Sequence, residues 1–294
     1  LNEELLRIAR ANLEQQQQLA ESTETFVKIG IRNIAELYNQ QSAAKNAALT
    51  VVDQENQLTV SKVQLMRTLQ IDPLRDWEFT EPRLSQALLL QDSVSLEDAY
   101  NDAIANRADL KQQETSLEAQ KYALKSARGG YLPNLSMGYY FGSQYSSLFQ
   151  PTLSEQIFDI NDVSVLSLNL NIPIFNNLDT RTQVQRNKQL LDNAVLQLED
   201  LERNIFEQVQ TAIADYSTAQ ERIIAAEAQV KAAEKALEAE RERFRLGVGN
   251  ILDLNRVNAA YVEALATKAQ ADYQLIFQKT ALDYFRGKLQ SYTD

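Results

Sequence analysis

Cysteine and histidine are absent from the 294 residues. Their absence excludes a disulfide framework, a His or Cys metal site, and any nucleophile activated by histidine. Glycine and proline are scarce, at 8 and 5 residues. Turns are therefore few and the elements between them long. Basic residues are outnumbered, 29 against 40 acidic ones, for a net charge of −11. That balance argues against a protein that coats nucleic-acid phosphates. No run of about 18 apolar residues occurs, so no transmembrane helix is predicted. A membrane-spanning strand passes that test untouched, because its signal is only about ten alternating residues. What remains is a chain rich in Ala, Leu, Gln and Glu, a composition of long helices.

The longest periodic segment runs from about Asp179 to Leu246. One apolar row reads Val184, Leu191, Leu198, Ile205, Ala212, Ala219, Ala226 and Ala233. A second reads Val195, Val209, Tyr216, Ile223, Val230, Leu237 and Phe244. The rows repeat every seven residues and are offset by three or four, which is a coiled-coil seam. Such a helix is on the order of 100 Å long, far more than a compact domain needs. Similar patterns predict helices over 1–29, 33–70, 95–128 and 251–290. Pro73 ends the second of these. Ser95 and Asp98 resemble a capping signal for the next.

Residues 131–175 have a different period. Gly129, Gly130 and Pro133 end a helix. Leu135, Met137, Tyr139 and Phe141 then alternate with Ser136, Gly138, Tyr140 and Gly142. Leu166, Leu168, Leu170 and Ile172 alternate with Ser167, Asn169 and Asn171. Period two predicts two strands, joined through a long polar loop from about Gln144 to Asp162. Each strand has one apolar face and one small or polar face. The flanking helices carry their own seams, and no segment is free to cover a sheet. A lipid-facing strand resolves this, with apolar side chains to acyl chains and Ser, Asn and Gly to water. Tyr131, Tyr139, Tyr140 and Tyr145 suit interfacial anchors. Two strands cannot close a barrel, so more strands from other copies or from elsewhere in the protein are expected.

The chain also repeats itself at one constant offset. Val27-Lys-Ile-Gly30-Ile-Arg-Asn33-Ile34-Ala-Glu36-Leu37 aligns with Phe244-Arg-Leu-Gly247-Val-Gly-Asn250-Ile251-Leu-Asp253-Leu254. Downstream, Ala43, Ala47, Thr50, Gln57, Leu58, Lys62 and Leu65 meet Ala260, Ala264, Thr267, Gln274, Leu275, Lys279 and Leu282. The Gly-x-x-Asn-Ile-x-acid-Leu block is not a heptad feature, so duplication is the better explanation. A complete first copy predicts roughly 120 further residues before Leu1, including another strand hairpin.

These features resemble the outer-membrane efflux proteins, the TolC family, over essentially the whole chain. The resemblance rests on Ala127-Arg-x-x-Tyr131-Leu-Pro133-x-Leu135 opening a strand and on Ile172-Pro-Ile-Phe175 closing one. It rests also on Phe244-Arg-Leu-Gly247-x-Gly-Asn-Ile251-Leu-Asp253 between two long helices. It implies a mainly α fold with a transmembrane β-hairpin. The assembly would be a homotrimer with a 12-stranded outer-membrane β-barrel and a periplasmic α-barrel. Residues 1–73 and 95–130 would be α-barrel helices of the first and second repeats. Residues 74–94 would be an equatorial segment, 131–175 the barrel hairpin, and 176–294 helices with a periplasmic tip near 247. The implied function is a passive exit duct for drug efflux or protein secretion. Its implied partners are a periplasmic adaptor, an inner-membrane pump reached through it, and outer-membrane lipid, with no nucleic acid and no cofactor.

The resemblance further implies roles for named residues. Glu36, Asp253 and Arg256 would form the periplasmic constriction. Carboxylate rings favour cations; Arg256 departs from the acid expected there and could pair with a nearby carboxylate to hold the tip shut. Gly30, Ile31, Gly247, Val248 and Gly249 would contact the adaptor. Leu135, Met137, Tyr139, Phe141, Leu166, Leu168, Leu170 and Ile172 would face lipid. Glu36 and Asp253 also suit plain helix starts, where the dipole favours acids. Gly247-Val-Gly249-Asn250 follows a helix and lacks a lysine, so it is no phosphate loop. Trp77 reads as packing. Two other classes compete: a periplasmic adaptor or coiled-coil scaffold, and a filament-forming protein. No group is placed for enzymatic chemistry.

Overall fold

The computed structural model describes residues 1–72, 75, 77, 79, 94–148 and 150–288. Pro73 and most of the expected equatorial segment lie outside these residues. Trp77, at their edge, donates its indole N–H to the Asp72 carbonyl at 2.9 Å. Among the described residues no helix is long and apolar enough to cross a membrane.

Among the described residues, six helices of more than one turn and two strands carry the fold. They are α1 (Asn2–Lys28), α2 (Ile34–Leu69), α3 (Leu96–Asn106), α4 (Ala108–Gly129), β1 (Asn134–Gly142), β2 (Val163–Asn171), α5 (Asp179–Arg245) and α6 (Ile251–Phe285). They form two compact units, one of residues 1–106 with 205–294, the other of 107–204.

In the first unit the heptad rows do what their period dictates. Ala212, Tyr216, Ala219, Ile223 and Ala226 of α5 are buried against Ala271, Leu275 and Leu282 of α6. Leu237 and Phe244 are buried with Ile251 and Leu254, and Leu19 and Phe26 of α1 close over them. Leu6 and Ala9 of α1 are buried with Val51 of α2. Toward its C-terminal half the α5 seam alternates Ala212, Ala219 and Ala226 with the larger Tyr216 and Ile223.

In the second unit β1 and β2 form one antiparallel pair. Its connection is not all irregular, as the sequence suggests. One helical turn, Leu153–Glu155, opens on a capping box at Thr152, and a π-helical turn, Gln156–Ile160, continues it. Buried Gln156 organises this loop. Its Oε1 accepts from the Ser146 N–H at 2.8 Å and its Nε2 donates to the Pro151 carbonyl at 2.8 Å. Thr180, at the start of α5, donates to the Gly130 carbonyl at 3.4 Å, fixing where α4 hands over to the strands.

Two expectations need correction. The helix expected over 95–130 is broken at Arg107, which is extended with φ −67 and ψ 127. No Gly or Pro marks the break. It is stabilised by side chains: the Asn106 amide turns back to the Asp102 carbonyl at 2.9 Å, and Asp109 takes the Arg107 guanidinium at 2.6 Å. Ile172 lies one residue past the end of β2, which instead begins three residues earlier than Leu166, at Val163.

Candidate functional site

Two places carry the residues singled out by sequence: the paired turns of the first unit and the strand hairpin of the second.

The two turns are copies of one geometry. Gly30 and Gly247 sit at φ 76° and 78°, the left-handed region that glycine enters at little cost. In each turn the glycine N–H bonds three residues back, Gly30 to Val27 and Gly247 to Phe244. The next two N–H groups converge on one carbonyl, Phe26 in the first copy and Arg243 in the second. These are the helix-end carbonyls that need donors. Each following helix is capped by asparagine: Asn33 accepts from the Ala35 N–H and Asn250 from the Leu252 N–H, both at 3.0 Å. Gly249 is required for a separate reason. A Cβ there would stand 2.7 Å from the Phe244 backbone nitrogen.

Arg32, which sequence reasoning passed over, ties the two turns together. Its Nη1 donates to the Gly249 carbonyl and its Nη2 to the Phe244 carbonyl, each at 3.0 Å. The guanidinium lies 4.4 Å over the Phe244 ring and reaches Glu36 at 3.3 Å. Only 10% of the side chain is exposed. A cation here faces the C-terminal carbonyls of the longest helix, where the dipole favours positive charge. Arg32 aligns with Gly249 itself in the repeat. A position at which the copies differ is thus one at which they touch. An alignment signal was available, because an arginine stands where the other copy has Gly249, but its partner lies 217 residues away.

The expected constriction residues sit beside these turns. Glu36 is in the first turn of α2 and Asp253 in that of α6. Each has an arginine of its own chain, Arg32 for Glu36 and Arg256, at 3.4 Å, for Asp253. The second pair is solvated, with side-chain exposures of 51% for Asp253 and 79% for Arg256. Ile31 and Val248 are exposed at the turn apices, with Ile29 and Leu246 beside them.

The hairpin register decides which strand residues share a face. Leu135 is opposite Leu170, Met137 opposite Leu168, Tyr139 opposite Leu166, and Phe141 opposite Ser164. Residues directly opposite project to the same side. One face is therefore apolar except at Ser164, whose hydroxyl lies 3.3 Å from the Tyr139 hydroxyl. The other face carries Ser136, Gly138, Ser167, Asn169 and Asn171, with Tyr140, Val163 and Val165 toward the loop end. The whole apolar face is exposed, to 69% at Met137 and 68% at Leu168. Gly138 leaves room for Ser167, whose Oγ would be 3.0 Å from a Cβ there.

Comparison with known proteins gives a consistent result. The sequence profile of the outer membrane efflux protein family matches residues 99–287. The outer membrane efflux protein BepC of Brucella suis is 21% identical over 191 residues, covering 65% of this chain and 41% of BepC. Among solved structures, the outer membrane protein VceC of Vibrio cholerae superposes with a TM-score of 0.80 at 16% identity. That match covers 97% of this chain and 66% of VceC. The CmeC outer membrane channel of Campylobacter jejuni gives 0.73 at 15% identity, over 99% of this chain and 61% of CmeC. The likeness in structure establishes the fold, and the chain spans less than two-thirds of the length of each of these relatives.

Proposed function

The chain belongs to the outer membrane efflux protein family, and from that premise we propose that the full protein is a passive exit duct of the outer membrane. In this reading three copies assemble, each giving four strands to a shared 12-stranded β-barrel. The long helices continue as an α-barrel in the periplasm, with residues 74–94 at its equator. An inner-membrane pump supplies the energy. A periplasmic adaptor grips the turns at Gly30, Ile31, Gly247, Val248 and Gly249 and opens the tip beside Glu36, Asp253 and Arg256.

The observation that carries this reading is the hairpin. An exposed sheet face made of Leu135, Met137, Tyr139, Phe141, Leu166, Leu168 and Leu170 is a strong liability in water. Burying it against acyl chains, with Ser167, Asn169 and Asn171 toward a wet lumen, satisfies both faces. Closure with further strands removes the open edges.

The test is a walk of single cysteines through 166–171 of the full-length protein. Intact membranes are then labelled with a water-soluble maleimide. Labelling at 167, 169 and 171, with protection at 166, 168 and 170, is the expected pattern. A protein soluble without detergent, with both sets labelled or both protected, would replace the duct by a scaffold or filament.

A further inference from the structure

The two copies share turn, caps and heptad rows, which poses a problem of pairing. Hairpins so alike can pair with like hairpins of a second chain as well as with each other. One layer of the first unit breaks the likeness. Gln40 of α2 is fully buried, and Gln16 of α1 and Asn258 of α6 nearly so. The Gln40 Nε2 donates to the Gln16 carbonyl at 3.1 Å and to the Gln16 side-chain oxygen. The Asn255 Nδ2 donates to Gln40 Oε1 at 3.0 Å. The Asn258 Nδ2 donates to Asn12 Oδ1 at 2.8 Å, and the Gln15 amide donates to Asn258 Oδ1. Six amides from three helices thus form a polar layer of two hydrogen-bonded groups, Gln16–Gln40–Asn255 and Asn12–Asn258–Gln15. Apolar clusters flank it, with Leu6, Ala9 and Val51 in one and Phe244, Ile251 and Leu254 in the other.

The repeat alignment confines the Gln16–Gln40–Asn255 part of this layer to unlike partners, whereas Asn12 and Asn258 align with amides, Gln229 and Gln41. Gln15, Gln16 and Gln40 align with Ala232, Ala233 and Val257, while Asn255 and Asn258 align with Tyr38 and Gln41. Val257 packs with the apolar cluster near the turn. Buried amides demand hydrogen-bond partners, and an unmade bond costs more than a made one gains; Gln40 is satisfied at both ends, while Asn255 spends its amide on Gln40 and keeps a buried Oδ1 without a partner. Two first-copy hairpins laid together would put the Tyr38 ring where the Asn255 amide belongs. A lone second-copy pair would have Val257 in place of Gln40 and so no partner for Asn255. Polar residues in a coiled-coil core set register and partner at some cost in stability.

We propose that this amide layer is a partner-selecting key. It docks the α1–α2 hairpin on α6 of its own chain, in one register, and rejects docking of like hairpins between copies. The inference goes beyond the duct reading and uses it only in expecting several copies to meet.

Ala11 and Val262 line the same groove between α1 and α6. In the full-length protein, Ala11→Cys with Val262→Cys treated with a short bismaleimide is expected to give an intrachain product. Ala11→Cys alone is expected to give little dimer. Replacing the amides by the second copy's residues, Gln16→Ala with Gln40→Val, should lower the intrachain product at least twofold and produce an 11–11 dimer. Gln16→Met with Gln40→Met keeps the volume and asks the same question should the first pair fail to fold. An unchanged crosslinking pattern in a folded variant would overturn the key. Maleimide labelling of separate single-cysteine variants at 167 and 168, without the cysteines at 11 and 262, reads membrane placement independently, so failure of the duct and failure of the key are distinguishable.

Discussion

At Arg32 the duplication is broken, and the break is structural. A guanidinium presents donors in a rigid fork, which suits two carbonyl oxygens and a carboxylate at once. Phe244, whose counterpart in the repeat is Val27, supplies the ring beneath it. Hydrogen bonds to a charged group are worth about 1.5–3 kcal/mol each, less than additively when they share a side chain. Arg32→Ala should therefore destabilise the protein by about 2 kcal/mol or more, and amide exchange at Ile31, Val248 and Gly249 should quicken. Arg32→Lys should restore only part, because a single ammonium cannot span the Phe244 and Gly249 carbonyls as the fork does. Thermal melts and hydrogen exchange check this. Equal exchange at the turns in wild type and Arg32→Ala would mean that each turn is held by its own hydrogen bonds alone.

Between elements, the join of α3 to the end of α6 rests on charge. Asp102 takes Lys288 at 2.6 Å and Arg286 at 2.7 Å. These cations, Lys288 foremost, hold its carboxyl below the usual aspartate value. A depressed folded-state value means that the stabilisation is complete above the unfolded value of about 3.9 and goes as pH falls through the lower folded one. Asp102→Asn should lower the melting temperature at pH 7, and the gap from wild type should close well below pH 3.9. A gap independent of pH would assign the loss to packing. Elements of this kind differ in how far the sequence shows them. The seven-residue rows mark α5 and α6 because burial follows the period, and alternation marks β1 and β2 because successive side chains project to opposite faces of the pair. The repeat marks both turns. The break at Arg107 is hidden, since Asn106 and Asp109 make it with side-chain bonds that leave no Gly or Pro. The Arg32 strut and the amide layer are hidden for another reason: their partners are distant in sequence, and a buried Gln40 reads as an ordinary surface glutamine.

If the proposed duct forms, the charge at its tip would decide which ions it passes. The resemblance alone predicts carboxylate rings from Glu36 and Asp253, yet each acid has an arginine within its own chain. Arg32 is mostly buried beside Glu36, whereas Asp253 and Arg256 are solvated, so in the proposed duct the second pair would govern the field a passing ion meets. Asp253→Asn leaves Arg256 uncompensated in every copy and should lower the cation-to-anion permeability ratio several-fold. Arg256→Gln should raise it, and Glu36→Gln should move it less than either. Reversal potentials in a salt gradient across a planar bilayer measure all three. The effects should be largest in dilute salt, because the screening length is about 8 Å at physiological ionic strength and about 30 Å at 0.01 M. Opposite signs for Asp253→Asn and Arg256→Gln would place this pair at the narrowest point of the conducting path. Three unchanged ratios would place the constriction elsewhere and leave these acids as helix starts favoured by the dipole.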